Sequence, residues 1–248
     1  MFRVTRHGFK EMLIGSVVLV ALGAALAEYS PLWELKLLII GVVLVLIWLF
    51  AFFRDPERAV PAEEHLMVSP ADGTVSDITT IEHDELLGGP AIRIGIFLSV
   101  FNVHINRSPC DAKVLSIKYK KGKFINAMSH AKASDENESN TVVLGEPTTG
   151  KPVAVVKQIV GLIARRIIFT ASKGDVLARG QRIGMIKFGS RTELYIPAWL
   201  KPEVRVKEGQ VVRGAADVIA RLGNPIHTVV KKMDTEEFER MAPRETPT

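Results

Sequence analysis

The chain of 248 residues is long enough for one sizeable globular domain and an additional element. Its formal net charge of +5 suits an anionic partner. Aromatic residues make up only 7% of the chain and do not alternate with basic runs, so a membrane surface is favoured over nucleic acid. The single cysteine, Cys110, excludes an internal disulfide and a CxxC metal site.

Two uncharged apolar runs lie near the start of the chain, at residues 12–27 and 37–53, with the polar turn "EYSPLWELK" between them. At 1.5 Å per residue each run gives a helix of roughly 25 Å, at the short end for a bilayer core of about 30 Å. We therefore predict an N-terminal hydrophobic α-helical hairpin over residues 1–58. Whether it spans the bilayer or dips into one leaflet stays open.

Basic residues flank this hairpin on both sides. Arg3, Arg6 and Lys10 precede the first apolar run, and Arg54 and Arg58 follow the second. The positive-inside rule then predicts a cell-membrane protein with its N-terminus and main body on the cytoplasmic side. A signal peptide is disfavoured because no clear small-x-small cleavage site follows the first run and a second apolar run comes at once.

From Leu66 onward the pattern changes to short β-branched runs separated by Gly, Asp and Pro, such as "GTVSDITTI", "AIRIGIFLSV", "AKVLSIKYK" and "PVAVVKQIVG". This spacing predicts a mainly β barrel or sandwich over residues 59–248. Two segments, "KGDVLARGQRIGMI" and "EGQVVRGAADVIARL", also echo each other. Paired strands joined by glycine turns are typical of the barrel-sandwich architecture of biotinyl- and lipoyl-carrier domains.

One strand-like stretch, "IKFGSRTELYIP" at residues 186–197, is interrupted by Gly189-Ser190. Glycine inside a strand marks a bulge or a close backbone approach. Elsewhere, His104 ends the strongly apolar strand pattern "AIRIGIFLSVFNVHINRSP" and can face a cleft. The six histidines include no HExxH or HxH pair, so we expect no zinc site.

A serine becomes a nucleophile when a base takes its proton and an acceptor fixes the tautomer of that base. Ser190, His104 and Asp72 are residue types that supply these three parts. Taken singly, each also fits an ordinary role, as a loop serine, a core or surface histidine and a turn aspartate. The residues alone leave both interpretations open.

The chain resembles the phosphatidylserine decarboxylase family, in its short membrane-anchored bacterial form. The resemblance covers essentially the whole length and is carried by "FFRDPER", "SPADGTVSDI", "FLSVFNVHINRSP", "YKKGKFINA", "ENESN", "IKFGSRTEL" and "VKEGQVVRGAADVIA". The most specific of these is "FGS", because Gly-Ser is the self-cleavage point of the family.

The resemblance implies a proenzyme that cuts its own Gly189–Ser190 bond, giving a β chain, residues 1–189, and an α chain, residues 190–248. Ser190 would become a pyruvoyl group, a covalent carbonyl cofactor that starts the α chain. His104 matches the base of the family and Asp72 its orienting partner. Longer members carry another histidine three residues before the one that matches His104. Phe101 stands there, so the proton donor after decarboxylation is not carried over.

The implied reaction converts phosphatidylserine to phosphatidylethanolamine and CO2 in phospholipid biosynthesis. Its partners would be phosphatidylserine in an anionic membrane and the chain's own associated β and α parts, with a homo-oligomer left open. Lys120, Lys121 and Lys123 could meet anionic headgroups or form a solvated basic turn.

Three alternatives stand beside this one. A related serine phospholipid such as archaetidylserine would undergo identical headgroup chemistry. A membrane-anchored lipoyl-like scaffold or adaptor would need no catalysis, but it would also have no use for Gly189-Ser190, and a carrier would show a Met-Lys-Met-like tip. A serine hydrolase is disfavoured because no GxSxG motif surrounds Ser190.

Overall fold

The computed structural model describes residues 3–27, 32–124, 134, 136–161, 166–187 and 189–226. The chain folds into two units, Met1–Glu57 and Arg58–Thr248, which are treated separately below. Part of the lysine-rich segment after residue 124, Phe188 of the "FGS" motif and the chain beyond residue 226 lie outside the described residues.

The first unit consists of two apolar helices, α1 (Phe9–Ala27) and α2 (Leu32–Phe52). They run antiparallel, because Gly15 faces Leu49 and Gly23 faces Val42. Most of their large apolar side chains are exposed. In the described chain one stretch, 20 residues over Arg6–Ala25, is long and apolar enough to cross a membrane, while the apolar stretch Lys36–Phe52 is shorter.

Backbone hydrogen bonds tie the two ends of this unit together. The Thr5 N–H donates to the Phe53 carbonyl at 2.9 Å, and the Asp55 N–H donates to the Arg3 carbonyl at 2.8 Å. The chain therefore enters α1 and leaves α2 at the same end of the helical pair.

The second unit is built from fourteen described strands. They are β1 (Leu66–Val68), β2 (Gly73–Asp84), β3 (Gly89–Leu98), β4 (Ile105–Arg107), β5 (Ala112–Lys120), β6 (Ser139–Gly145), β7 (Pro152–Val160), β8 (Ile167–Phe169), β9 (Val176–Leu177), β10 (Arg182–Ile186), β11 (Ser190–Pro197), β12 (Pro202–Val204), β13 (Val211–Val212) and β14 (Val218–Leu222). The predicted mainly β class is confirmed, and the β-branched runs form its strands, where such side chains pack well.

The strands form one large antiparallel sheet and two small ones. The eight-stranded sheet has the order β13-β2-β3-β11-β7-β6-β5-β9, and the small sheets are β1-β14-β12 and β4-β10-β8. A continuous apolar core includes Ile94 and Ile96 of β3, Leu194 of β11, Ile183 of β10 and Ile219 of β14. Strand β11 is therefore an interior strand, paired along its length with β3 and β7.

The two echoing segments adopt the same local structure. The first contains β9 and β10, the second β13 and β14, each as two short strands around a turn. Positive φ angles recur at matching places, with Gly174 and Gly209 before the first strand and Gly180 and Ala215 between the strands. The internal repeat is thus structural, while the likeness to biotinyl and lipoyl carriers stays a prediction.

The register aligns one end of the large sheet. Ser190 opens β11 and pairs with the last residues of β3 and β7, Leu98 and Val160. Ser139 opens β6 and pairs with Ile159 on one side and with Lys120, the last residue of β5, on the other. The loops that follow β3, β5 and β7 therefore emerge at the same end of the sheet as Ser190.

Candidate active site

Strand pairing in the small sheet brings His104 beside the chain that leads to Gly189. Strand β10 runs antiparallel to β4, with Met185 opposite Ile105, and the Ile186 N–H donates to the His104 carbonyl at 3.3 Å. Three residues after Ile186 the chain reaches Gly189. The imidazole and the predicted cleavage point are thus neighbours through backbone pairing.

The His104 side chain is fully buried and has two described contacts. Its Nδ1 lies 3.0 Å from the Asn102 carbonyl oxygen, and its Nε2 accepts from the Gly189 N–H at 3.3 Å. A carbonyl only accepts and an amide N–H only donates, so both contacts are satisfied together when the ring proton is on Nδ1. His104 is then neutral, with the basic Nε2 lone pair directed at the Gly189 backbone.

A compact turn presents the Asn102 carbonyl to His104. The Asn102 side-chain oxygen accepts from the Ser99 N–H at 2.8 Å and from the Ser99 hydroxyl at 2.9 Å, and the Asn102 N–H donates to the Ser99 carbonyl at 3.0 Å. The prediction that a strand runs up to His104 is wrong. Strand β3 ends at Leu98 because the Asn102 side chain closes a turn there.

Gly189 and Ser190 join β10 to β11 with an unusual backbone. Gly189 has a φ of +62°, in the left-handed region that favours glycine. A Cβ at this position would meet only Val100 Cγ1, at 3.8 Å, so the backbone conformation and not the space demands glycine. The Ser190 side chain is fully buried, and its Oγ has no hydrogen-bond partner among the described residues.

Asp72 lies in the bend directly before β2 and is itself tightly held. Its Oδ2 accepts from the Arg58 guanidinium at 2.6 Å, and its Oδ1 accepts from the Gly214 N–H at 2.8 Å. The bend runs beside β4, because the Arg107 N–H donates to the Pro70 carbonyl at 2.9 Å. The role of Asp72 in orienting His104 stays a prediction.

A ladder of buried polar side chains supports β11 on the face that carries Ser190. The Asn106 amide donates to the Thr192 hydroxyl at 2.9 Å and accepts from the Gln158 amide at 2.8 Å. The Gln158 oxygen in turn accepts from the Asn140 amide at 3.0 Å. Buried polar groups are costly unless paired, so this ladder fixes β4 against β11 in one arrangement.

Among the described residues, no group of three His, Cys, Asp or Glu side chains is arranged to hold a metal ion. The buried thiol of Cys110 is no competing nucleophile. Burial raises the pKa of Cys110, and the nearby Asp111 raises it further, so the thiol keeps its proton.

The described contacts thus bring together Gly189, Ser190 and His104. Sequence reasoning missed the contributions of Asn102 and Arg58. The signal for Asn102 was present, since Ser-x-x-Asn between two apolar runs is a turn pattern. The pairing of Arg58 with Asp72 had no comparable local signal.

Fold and site together define a mainly β protein whose candidate site is centred on a serine at the start of a buried strand. The family model described as phosphatidylserine decarboxylase matches residues 45–220, more than half of the chain. The chain therefore belongs to the phosphatidylserine decarboxylase family.

Individual proteins that are similar to this chain carry the name of the same family. The phosphatidylserine decarboxylase proenzyme of Carboxydothermus hydrogenoformans is 42% identical over 220 residues, covering 88% of this chain and 95% of that protein. The proenzyme of Ruegeria pomeroyi is 47% identical over 186 residues, covering 74% and 82%. That of Granulibacter bethesdensis is 44% identical over 216 residues, covering 86% and 83%.

Proposed function

We propose that this protein decarboxylates phosphatidylserine to phosphatidylethanolamine and CO2, after cutting its own Gly189–Ser190 bond. The single observation that carries the proposal is the 3.3 Å contact between His104 Nε2 and the Gly189 N–H, next to the buried Ser190 hydroxyl. Membership of the family and the proenzyme names of the relatives support both the substrate and the self-cleavage.

The proposed cleavage begins when Ser190 Oγ attacks the Gly189 carbonyl carbon and His104 Nε2 takes the hydroxyl proton. A new C–O ester bond forms as the C–N peptide bond breaks, and the freed nitrogen gains a proton. Loss of the Cα proton of residue 190 then expels the Gly189 carboxylate and leaves dehydroalanine. Water replaces the nitrogen, which leaves as ammonia, and a ketone remains at residue 190.

Two features of the site favour this course. The left-handed backbone of Gly189 is a conformation that glycine adopts readily and most other residues avoid, and the absence of a Cβ leaves the Gly189 carbonyl open to attack. The tautomer set by the Asn102 carbonyl leaves Nε2 unprotonated, as a general base requires. We assign Asp72 as a further orienting group for His104, itself held by Arg58 and the Gly214 N–H.

The site fits a pyruvoyl group at position 190. When present, this group supplies a carbonyl that draws electrons from the substrate as CO2 leaves. Strands β3 and β7 would hold its backbone from both sides, through the pairing of residue 190 with Leu98 and Val160. Ser190 has no exposed surface in the uncut chain, so the group would form away from bulk solvent.

We further propose that the sheet end around Ser190 meets an anionic membrane. This end carries exposed apolar side chains, with Phe101 71% exposed, Tyr119 52% and Phe124 40%. Aromatic and basic side chains together suit a lipid headgroup region. Lys123 is paired with Glu136 at 2.7 Å, so the exposed Lys118 and Lys121 are the cations that we assign to headgroups.

The proposed location is the cell membrane, with the second unit on the cytoplasmic side. The backbone hydrogen bonds that join the two ends of the first unit support this location, because the chain enters α1 and leaves α2 at the same end of the helical pair. The basic residues near that end, including Arg3, Arg6 and Arg54, favour the cytoplasmic side. The β and α chains would stay associated, since β11 lies between β3 and β7.

The test is an intact mass of the detergent-purified protein, followed by a CO2 assay. We expect two chains, the smaller running from position 190 to Thr248 and lighter by one ammonia than the plain peptide, and CO2 released from phosphatidylserine. The Ser190→Ala variant should stay as one inactive chain. A folded wild-type protein that remains uncut would contradict the proposal and favour a scaffold. A preference for archaetidylserine over phosphatidylserine would change only the substrate.

A further inference from the structure

Arg191, the second residue after the proposed cleavage point, has a side chain with no exposed surface. Because side chains alternate along a strand, Arg191 lies on the opposite face of β11 from Ser190. Ser190 and Leu194 face the main core, whereas Arg191, Glu193 and Tyr195 face the other side of the sheet. The Arg191 guanidinium is therefore separated from the reacting atoms by its own backbone.

The guanidinium crosses one strand to reach another. Its Nη2 donates to Asp77 Oδ1 at 2.6 Å and its Nη1 donates to Ser76 Oγ at 2.5 Å, both on β2. Its Nε donates to Glu193 Oε1 of β11 at 2.9 Å. Strand β3 lies between β11 and β2, so two of these three bonds bridge the full width of β3.

A glycine in β3 makes room for this crossing. Gly95 pairs with Glu193 on one side and with Asp77 on the other. A Cβ at residue 95 would collide with Arg191 Nη2 and would lie 2.5 Å from Asp77 Oδ1 and 2.6 Å from Arg191 Cζ. Glycine usually weakens a strand interior, and here it opens the notch that the guanidinium occupies.

The charges in this notch are balanced. Arg93 of β3 donates to Asp77 Oδ2 at 3.1 Å, and Tyr195 donates to Glu193 Oε2 at 2.8 Å. Both carboxylates are therefore held from two sides. A planar fork of donors suits this arrangement, and the single ammonium of a lysine would not reproduce it.

We propose that Arg191 is a positioning residue that holds the new end of the α chain in place after cleavage. The proposal rests on the proposed function, because it concerns the chain end that cleavage creates. Once the bond is cut, residue 190 has no covalent neighbour before it, and free chain ends tend to fray. The bonds from Arg191 to Ser76 and Asp77 then link the α chain to the β chain one residue from the reactive carbonyl.

The experiment compares two changes in the full-length protein, Arg191→Lys and Gly95→Ala. The first removes the fork, and the second fills the notch without altering any charged group. For each we would measure the fraction of chains cut, the amount of pyruvoyl by reaction with a carbonyl reagent, and kcat and KM with phosphatidylserine in mixed micelles. Gly89→Ala is the matched control, since Gly89 opens the same strand and a Cβ there meets nothing within 4 Å.

We expect both variants to be cut, with kcat per pyruvoyl reduced about tenfold to a hundredfold and KM little changed, because a displacement near 1 Å can cost that much. The control should match the wild type.

If the Arg191→Lys variant has the same kcat per pyruvoyl group as the wild type, the inference is overturned and the proposed function is left intact. Failure of both variants to be cut would also overturn it, because Arg191 would then act on the precursor and not on the product. An uncut wild-type protein would instead remove the proposed function itself.

Discussion

At the scale of single residues, Gly189 and His104 depend on each other. The imidazole Nε2 accepts from the Gly189 N–H, and the positive φ of Gly189 helps to set where the Gly189 carbonyl lies relative to that N–H. A residue with a Cβ adopts this conformation at a cost of about 1 kcal/mol or more. The reactive geometry is therefore sensitive to a change at Gly189 that would create no clash.

We predict that Gly189→Ala slows self-cleavage by about tenfold, which corresponds to about 1.4 kcal/mol. The accumulated uncut chain, followed by mass over time after synthesis, measures this rate. Gly150→Ala is the control, because Gly150 has a φ of +71° with open space around it, in the turn between β6 and β7. Equal slowing in both variants would mean that general strain, and not the site, is responsible.

A second prediction concerns Asn102, whose side chain closes the turn that presents its own carbonyl to His104. Asn102→Ala should slow self-cleavage about tenfold, because the imidazole loses its fixed orientation and its favoured tautomer. Asp84→Ala is a matched control, since the Asp84 side chain closes the turn between β2 and β3 by accepting from the Leu86 and Leu87 N–H groups. The prediction is wrong if the Asn102 variant is cut at the wild-type rate.

At the scale of the strand, β11 carries charge on a face where strands usually carry apolar residues. Burial alone would raise the pKa of Asp77, but Arg191, Ser76 and Arg93 together lower it below its ordinary value of 3.8. A carboxyl group with a lowered pKa in the folded state stabilises that state above the unfolded pKa. The stabilisation is lost as pH falls through the folded pKa.

We therefore predict a pH-dependent cost for Asp77→Asn, compared in the uncut Ser190→Ala background. Near neutral pH the change should lower the free energy of unfolding by about 3 kcal/mol, because it leaves part of a buried ion pair uncompensated. The difference should shrink as pH falls below about 4. Urea unfolding of the detergent-solubilised protein at several pH values measures both effects.

Asp217→Asn provides the comparison. Burial alone would raise the pKa of Asp217, but Arg213 and Arg58 together lower it, and the Arg213–Asp217 pair is more exposed than the Arg191–Asp77 pair. Asp217→Asn should lower the free energy of unfolding by less than about 1 kcal/mol at any pH. If both substitutions lower the free energy of unfolding equally, the burial of the Asp77–Arg191 pair adds nothing to stability.

The positions of the strands along the chain are largely predictable from the sequence, but the pairing of each strand with its neighbours in the sheet is not. The run "AIRIGIFLSV" has the β-branched composition of a strand, and β3 begins close to where the pattern predicts, although it ends at Leu98 and does not reach His104. That β11 lies between β3 and β7 depends on pairings across about 30 and 100 residues, and no local pattern encodes such a register. Arg191, Thr192 and Glu193 are polar residues, and polar residues in a single sequence predict exposed positions. All three are buried, because residues distant in the sequence supply hydrogen-bond partners for them.

At the scale of the whole molecule, the apolar runs and the β-rich remainder predict the two kinds of structure seen in the two units. The candidate site was predictable only through the family resemblance, since Gly189, Ser190 and His104 carry no joint signal in a single sequence. Their contact arises from the pairing of β4 with β10, which joins segments about 80 residues apart.

The sheet end around Ser190 gives a prediction at this scale. Replacing Lys118 and Lys121 by Gln should weaken sedimentation of the protein's second unit with vesicles containing phosphatidylserine, by about 1 kcal/mol for each charge. It should leave kcat in detergent micelles unchanged. Lys113→Gln with Lys173→Gln is the control, because these residues lie at the opposite end of β5 and in the turn before β9. Equal loss in both pairs would indicate a simple effect of net charge.

The interior position of β11 has a consequence for quality control. The left-handed turn at Gly189, the tautomer of His104 and the burial of Ser190 all require β3, β4, β7 and β10 to be in place. An unfolded chain lacks this geometry and would keep its peptide bond. The irreversible cut would therefore act as a permanent record that a molecule has folded, and the ratio of cut to uncut chains in a cell would count successful folding events.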